Sequence, residues 1–136
     1  MKRKPAIIVD IDWTVANKWD RSPYDWTKVI EDIPYNDIIH LVQILSKEYS
    51  VLFVSWRDFS CAIDTCKWLD TFYWEWYRLF MRLDWDKRSD DIVKKEILDV
   101  IIEDYEVHYV LDDRNRVVSM WRAQWLRCLQ VQEWNF

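Results

Sequence analysis

Short apolar runs alternate with longer stretches of helical period along this chain. Ala6-Ile7-Ile8-Val9, Val51-Leu52-Phe53-Val54 and Val107 to Leu111 are short and rich in β-branched residues. Leu129-Gln130-Val131 is a weaker fourth run, and Tyr77-Arg78-Leu79-Phe80-Met81 a further candidate. Runs of this kind predict strands buried on both faces, as in a parallel sheet. Between them, Ile38, Leu41, Val42 and Leu45 recur at helical spacing after Pro34, with Asn36 as the expected cap. Ile63, Cys66 and Leu69 form a second stripe after Ser60. Val93, Ile97, Val100 and Ile101 form the clearest stripe, opened by Ser89-Asp90-Asp91, and Val117, Val118 and Trp121 start a last helix. Polar and acidic residues at that opening suit a helix N-terminus. Strand and helix in strict alternation predict right-handed crossovers and an α/β sandwich. No repeat, low-complexity stretch or linker divides residues 1–136, which read as a single domain.

Composition narrows the chemistry. A chain of 136 residues suits one domain that buries roughly two-thirds of its unfolded surface. It contains no glycine and eleven tryptophans, where average usage would give roughly nine or ten glycines. P-loops, GxGxxG turns, GXXG clamps and GxSxG elbows all need glycine, so P-loop kinase chemistry is excluded. No apolar run is long enough to span a membrane, and the basic start leads into too short an apolar stretch for a signal peptide. Cys61, Cys66 and Cys128 form no CxxC pair and read as free thiols of a reducing, cytoplasmic setting. His40 and His108 alone cannot build a histidine-rich metal site, so a metal would be held by oxygen.

Three of the apolar runs end in polar residues: Asp10-Ile11-Asp12, Ser55-Trp56-Arg57 and Asp112-Asp113-Arg114. Parallel strands bring such ends to one edge, where open α/β sheets bind ligands. Carboxylates gathered there repel one another unless a cation sits among them, and an oxygen-rich site of this type suits Mg²⁺. Strand-end aspartates also cap helices, and Asp90 with Lys94 at i, i+4 reads by itself as a surface ion pair. The agreement of three strand ends favours a site. Trp68, Trp76, Phe80, Met81, Met120 and Trp121 read as core rather than as a stacking platform.

Ile7 to Val15, containing Asp10-Ile11-Asp12-Trp13-Thr14, resembles the nucleophile motif of haloacid dehalogenase-like (HAD-like) phosphatases. Val54-Ser55-Trp56-Arg57, Lys94 and Val110 to Arg114 resemble their later motifs. Arg21-Ser22-Pro23-Tyr24-Asp25, Arg88 to Ile97, Val118 to Arg122 and Leu129-Gln130-Val131 are similar to the 3′-phosphatase domain of bacteriophage polynucleotide kinases, with the kinase half absent. The resemblance implies a three-layer Rossmann-like parallel sheet of order 3-2-1-4-5 with a minimal cap. It implies Mg²⁺-dependent removal of a 3′-phosphate from a DNA or RNA end, with no membrane role and a kinase domain on another chain or removed. Asp10 would be the nucleophile and Asp12 the general acid and base. Ser55 and Lys94 would hold phosphoryl oxygens, and Thr14, Arg21, Arg57 and Asp90 would bind substrate. Asp10, Asp12 (through its carbonyl), Asp112 and Asp113 would hold the metal. The other readings are a small-molecule phosphomonoesterase and a catalytically dead nucleic-acid-end-binding or engineered variant.

Against that pattern, tryptophan stands at the family's usual glycine positions: Trp13, Trp56, Trp85, Trp125 and Trp134, with Trp19 and Trp74 as weaker matches. Trp26, Trp68, Trp76 and Trp121 fit as ordinary aromatics. The pattern implies glycine-to-tryptophan replacement by design or by a mistranslated codon, with a left-handed residue expected at Trp125.

Overall fold

The computed structural model describes residues 2–18, 21–22 and 24–135, so Trp19 lies outside the described residues. The chain runs β1 (Lys4–Val9), β2 (Ala16–Asn17), a 3-10 turn (Trp26–Glu31), β3 (Ile33–Pro34) and α1 (Asn36–Leu45). It continues through β4 (Ser50–Asp58), a second 3-10 turn (Phe59–Cys61), α2 (Ala62–Tyr73), β5 (Tyr77–Arg82) and α3 (Asp90–Asp104). It closes with β6 (Tyr105–Arg114), α4 (Asn115–Ala123) and β7 (Cys128–Trp134). The main sheet is parallel, in the order β5-β4-β1-β6-β7. Counted along that sheet alone this is the expected 3-2-1-4-5.

Side chains alternate across β1, so its residues build two cores. Ile7 and Val9 pack with Phe53 of β4, Ile39 and Val42 of α1, and Trp68, Leu69 and Tyr73 of α2. Ala6 and Ile8 pack on the other face with Leu98 and Ile101 of α3 and Val117, Val118 and Trp121 of α4. Three layers result. Among its described residues, the segment between β1 and α1 forms a 3-10 turn and the two-stranded ribbon of β2 and β3. Among the described residues there is no separate cap domain.

Several local expectations give way to tertiary packing. Asn36 is the first helical residue and Tyr35 occupies the cap without a side-chain bond. Ile63 and Val100, expected on buried stripes, are exposed; Thr65 and Trp68 of α2 and Lys94 and Leu98 of α3 face inward instead. Trp76 is exposed at the turn before β5 rather than in the core. The backbone agrees with three of the glycine assignments. Trp13, Trp74 and Trp125 have φ of 63°, 45° and 63°, a region that crowds any Cβ. After α4, the Leu126 amide donates to the Trp121 carbonyl (3.3 Å) and the Trp125 amide to that of Arg122 (3.0 Å). These are the paired bonds of a Schellman ending, with tryptophan where glycine is usual. Trp56, Trp85 and Trp134 are not left-handed.

Candidate active site

Parallel register fixes the site before any side chain is considered. Val9 pairs with Phe53 on one side and Leu111 on the other, so Asp10 emerges level with Asp112 and one residue short of Ser55. The Asp10 amide continues the ladder by donating to the Leu111 carbonyl at 2.9 Å. The order of strands reverses between β1 and β6, where such sheets open a crevice.

One half of the crevice is crowded with carboxylates. Lys94, delivered by α3 and 1% exposed, donates to Asp10 Oδ1 (2.8 Å) and Asp112 Oδ2 (3.1 Å), with Asp90 Oδ2 at 3.8 Å. Asp90 and Lys94 are therefore a buried pair facing the site, not a surface one. Thr14 Oγ1 lies 3.0 Å from Asp10 Oδ2 and 3.4 Å from Asp113 Oδ1. Trp121 Nε1 donates to Asp112 Oδ2 at 3.0 Å. One ammonium faces Asp10, Asp90, Asp112 and Asp113, and the titration behaviour follows. Burial, then the Asp112 charge, raises Asp10 well above the ordinary carboxylate range despite Lys94. Burial, reinforced by Asp112, pushes Asp113 up to about 7. Burial opposes the charge on Lys94, but Asp10, Asp112 and Asp90 hold it on.

The other half is neutralised. Arg57 Nη2 donates to Asp12 Oδ1 (2.9 Å) and its Nε to Asp12 Oδ2 (3.1 Å), while Arg21 Nη2 reaches Asp12 Oδ1 at 3.2 Å. Both arginines also hold Asp32, at 2.6 Å from Arg57 and 2.7 Å from Arg21. Thr65 of α2 accepts from Arg57 Nη1 at 3.1 Å. Burial alone would raise the Asp12 carboxyl, but Arg57, then Lys18 and Arg21, hold it below its ordinary value. The guanidinium groups of Arg21 and Arg57 are thus engaged with carboxylates. Ser55 is fully buried, and its Oγ accepts the Arg57 amide at 3.1 Å.

A cleft of about 20 Å³ opens between Asp10, Asp12, Asp90, Asp113, Lys18 and Arg114, with Trp13 and Trp56 in its wall. Trp56 Nε1 donates to Asp12 Oδ2 at 3.1 Å. Asp10, Asp112 and Asp113 each offer an oxygen within 4.8 Å of the others. Asp113 Oδ2 is buried without a hydrogen-bond partner. An oxygen-only donor set with an orphaned carboxylate oxygen fits a hard divalent cation.

Sequence reasoning missed Asp32, whose position before Ile33-Pro34 carries no spacing signal, and Lys18, which follows β2 and lines the cleft. It placed Trp121 in the core without its bond to Asp112. No helix among the described residues is long and apolar enough to cross a membrane.

The fold has solved counterparts. The fold superposes with a TM-score of 0.92 and 32% identity on a chain from the Pnkp1/Rnl/Hen1 RNA repair complex, covering 98% of this chain and 44% of that one. A second structure of a Pnkp1/Rnl/Hen1 complex gives 0.91 and 33%, covering 98% and 48%. In sequence, the chain is 34% identical over 122 residues to a protein of Autographa californica nuclear polyhedrosis virus named as a bifunctional polynucleotide kinase/RNA ligase. That alignment covers 86% of this chain and 18% of the viral protein. The chain thus spans less than half the length of each of these relatives. Residues 4–136 match the family described as the polynucleotide kinase PNKP phosphatase domain. With its strand-end acidic residues on that fold, the chain belongs to this HAD-like phosphatase-domain family.

Proposed function

We propose that the protein is a Mg²⁺-dependent polynucleotide 3′-phosphatase acting through an aspartyl-phosphate on Asp10. The observation that carries this reading is the Asp10 carboxylate, 2.8 Å from the Lys94 ammonium and beside a second acidic pair at the end of the adjacent strand. An Asp10 oxygen attacks phosphorus while the bond to O3′ breaks and its electron pair leaves with O3′. Asp12 gives that oxygen a proton, then removes one from the water that attacks phosphorus and breaks the bond to Asp10. The arginines hold Asp12 as an anion, which suits the second half. A phosphoryl dianion drawing Arg21 and Arg57 toward itself would loosen that hold for the first, and this is their part in substrate binding. Lys94 offsets charge on Asp10, and Thr14, Ser55 and Asp90 orient the phosphoryl group and its neighbours. Mg²⁺, held by Asp10, Asp112, Asp113 and the Asp12 carbonyl, supplies neutralisation of phosphoryl charge. The relatives carry this segment within much longer chains, so a kinase domain, in the same chain or another, is its natural company.

Phosphate release from 3′-phosphorylated DNA and RNA oligonucleotides, with Mg²⁺ and with chelator, tests the proposal. Mg²⁺-dependent release that disappears in Asp10→Asn is expected; a preference for sugar phosphates would instead identify a small-molecule phosphomonoesterase. The narrow cleft and the bond from Trp56 to Asp12 support a second reading, a phosphatase scaffold closed by its own indoles. That reading requires an inactive parent chain and recovery of turnover in a Trp13→Gly/Trp56→Gly variant.

A further inference from the structure

We propose that Lys18 is a phosphate-binding residue of this site, its ammonium donating to a non-bridging oxygen of the phosphoryl group that Asp10 attacks. The inference rests on the phosphatase reading and adds a residue to it. Lys18 is only 7% exposed, yet its Nζ has no hydrogen bond or ion pair among the described residues. Its contacts are the faces of Trp13 and Trp56, at 5.5 and 5.7 Å from the ring centroids. Indole faces attract a cation but accept none of its three N–H donors in the manner of an oxygen. A lysine this deeply buried, its ammonium unpaired among the described residues, is poised for an anion.

Position says which anion. Lys18 lines the same cleft as Asp10 and Asp12, so a group within reach of the Asp10 carboxylate is also beside Lys18. The other cations of the crevice are already engaged: Lys94 with Asp10 and Asp112, Arg57 and Arg21 with Asp12 and Asp32, and Arg114 with Asp90. Among the described residues, Lys18 alone of these five has its donors unspent. A phosphoryl group brings the oxygens that this ammonium lacks and places positive charge where charge spreads over the equatorial oxygens.

The test is calorimetric titration of the whole chain with inorganic phosphate in Mg²⁺ buffer, for the parent, Lys18→Gln and Lys18→Arg. Loss of a charged donor is expected to weaken phosphate binding about 10- to 100-fold in Lys18→Gln, with Lys18→Arg close to the parent. Circular dichroism and a melting midpoint matching the parent exclude misfolding, and rescue by arginine assigns the loss to charge. Hydrolysis of p-nitrophenyl phosphate and of a 3′-phosphorylated oligonucleotide should fall together in Lys18→Gln. Unchanged phosphate binding in Lys18→Gln, no phosphate binding by the parent, or a loss confined to the oligonucleotide would each overturn the proposal. Asp10→Asn separates the two claims. Absence of Asp10-dependent turnover rejects the phosphatase reading, whereas Lys18 stands or falls on phosphate binding.

Discussion

The two halves of the crevice carry similar residues in opposite electrostatic states. Around Asp12, two carboxylates meet two guanidinium groups, every carboxylate oxygen is bonded, and Asp12 is held below its ordinary value. Around Asp10, four carboxylates share Lys94, with Arg114 3.6 Å from Asp90, and Asp10 and Asp113 are pushed upward. Two aspartates two residues apart on one strand end are thus driven apart by their neighbours. The Asp12 half is charge-balanced by its own residues, whereas the Asp10 half, short of positive charge, is the one whose oxygens fit a cation.

The sharpest way to break that contrast is to remove Asp10. Asp10→Asn is expected to lower turnover of a 3′-phosphorylated oligonucleotide by at least about 10³-fold, measured as phosphate release, while the fold persists. The next effect concerns stability and has opposite signs in the two halves. Arg57→Ala leaves Asp12 and Asp32 buried beside one fewer cation and should cost about 3–5 kcal/mol in denaturant unfolding. Asp113→Asn removes a repelling charge and should leave metal-free stability unchanged or higher. Destabilisation of similar size in both variants would erase the distinction.

The pH response follows from the same contrast. A carboxyl raised in the folded state contributes most below its ordinary 3.8 and loses that contribution as pH rises through its folded value, about 7 for Asp113. Asp10 shifts in the same direction. Asp12, lowered, contributes above 3.8 and loses it only as pH falls further. Between about pH 4 and 7 the metal-free melting midpoint should therefore fall as pH rises. Mg²⁺ should remove that slope and, at 100 times its dissociation constant, add about 2.7 kcal/mol near neutral pH.

The smallest expected effect separates two tryptophans with the same φ. Trp125 is 96% exposed and touches no site residue, whereas Trp13 lines the cleft and packs on Trp134 at 5.4 Å. Trp125→Gly should stabilise by about 1 kcal/mol without changing turnover. Trp13→Gly should relieve similar backbone strain and also alter turnover, because it removes one wall of the cleft beside Asp10.

Much of this architecture is legible in the residues. The apolar runs give the strands because a strand buried on both faces needs nothing but apolar side chains. Parallel register then carries Asp10 and Asp112 to one edge without further information. The resemblance to HAD-like phosphatases adds Lys94 and Asp90, which spacing alone reads as an exposed pair. Asp32 was not legible, because a lone carboxylate in a loop acquires meaning only when Arg21 and Arg57 converge on it from distant segments. Ile63 and Val100 show the same limit. Each continues a helical apolar stripe, yet the neighbouring helices and sheet determine which side of the stripe is covered. The left-handed positions of Trp13 and Trp125 were readable only through the glycine that the family pattern expects, since nothing in tryptophan itself announces positive φ.

Calorimetric titration with Mg²⁺ at neutral pH tests the central claim most directly. One ion per chain is the expected result, with binding lost in both Asp10→Asn and Asp113→Asn and retained in Asp86→Asn, a carboxylate paired with Arg88 at 2.8 Å and outside the cleft. Absence of binding, or binding indifferent to Asp10 and Asp113, would contradict a shared cation between the two strand ends.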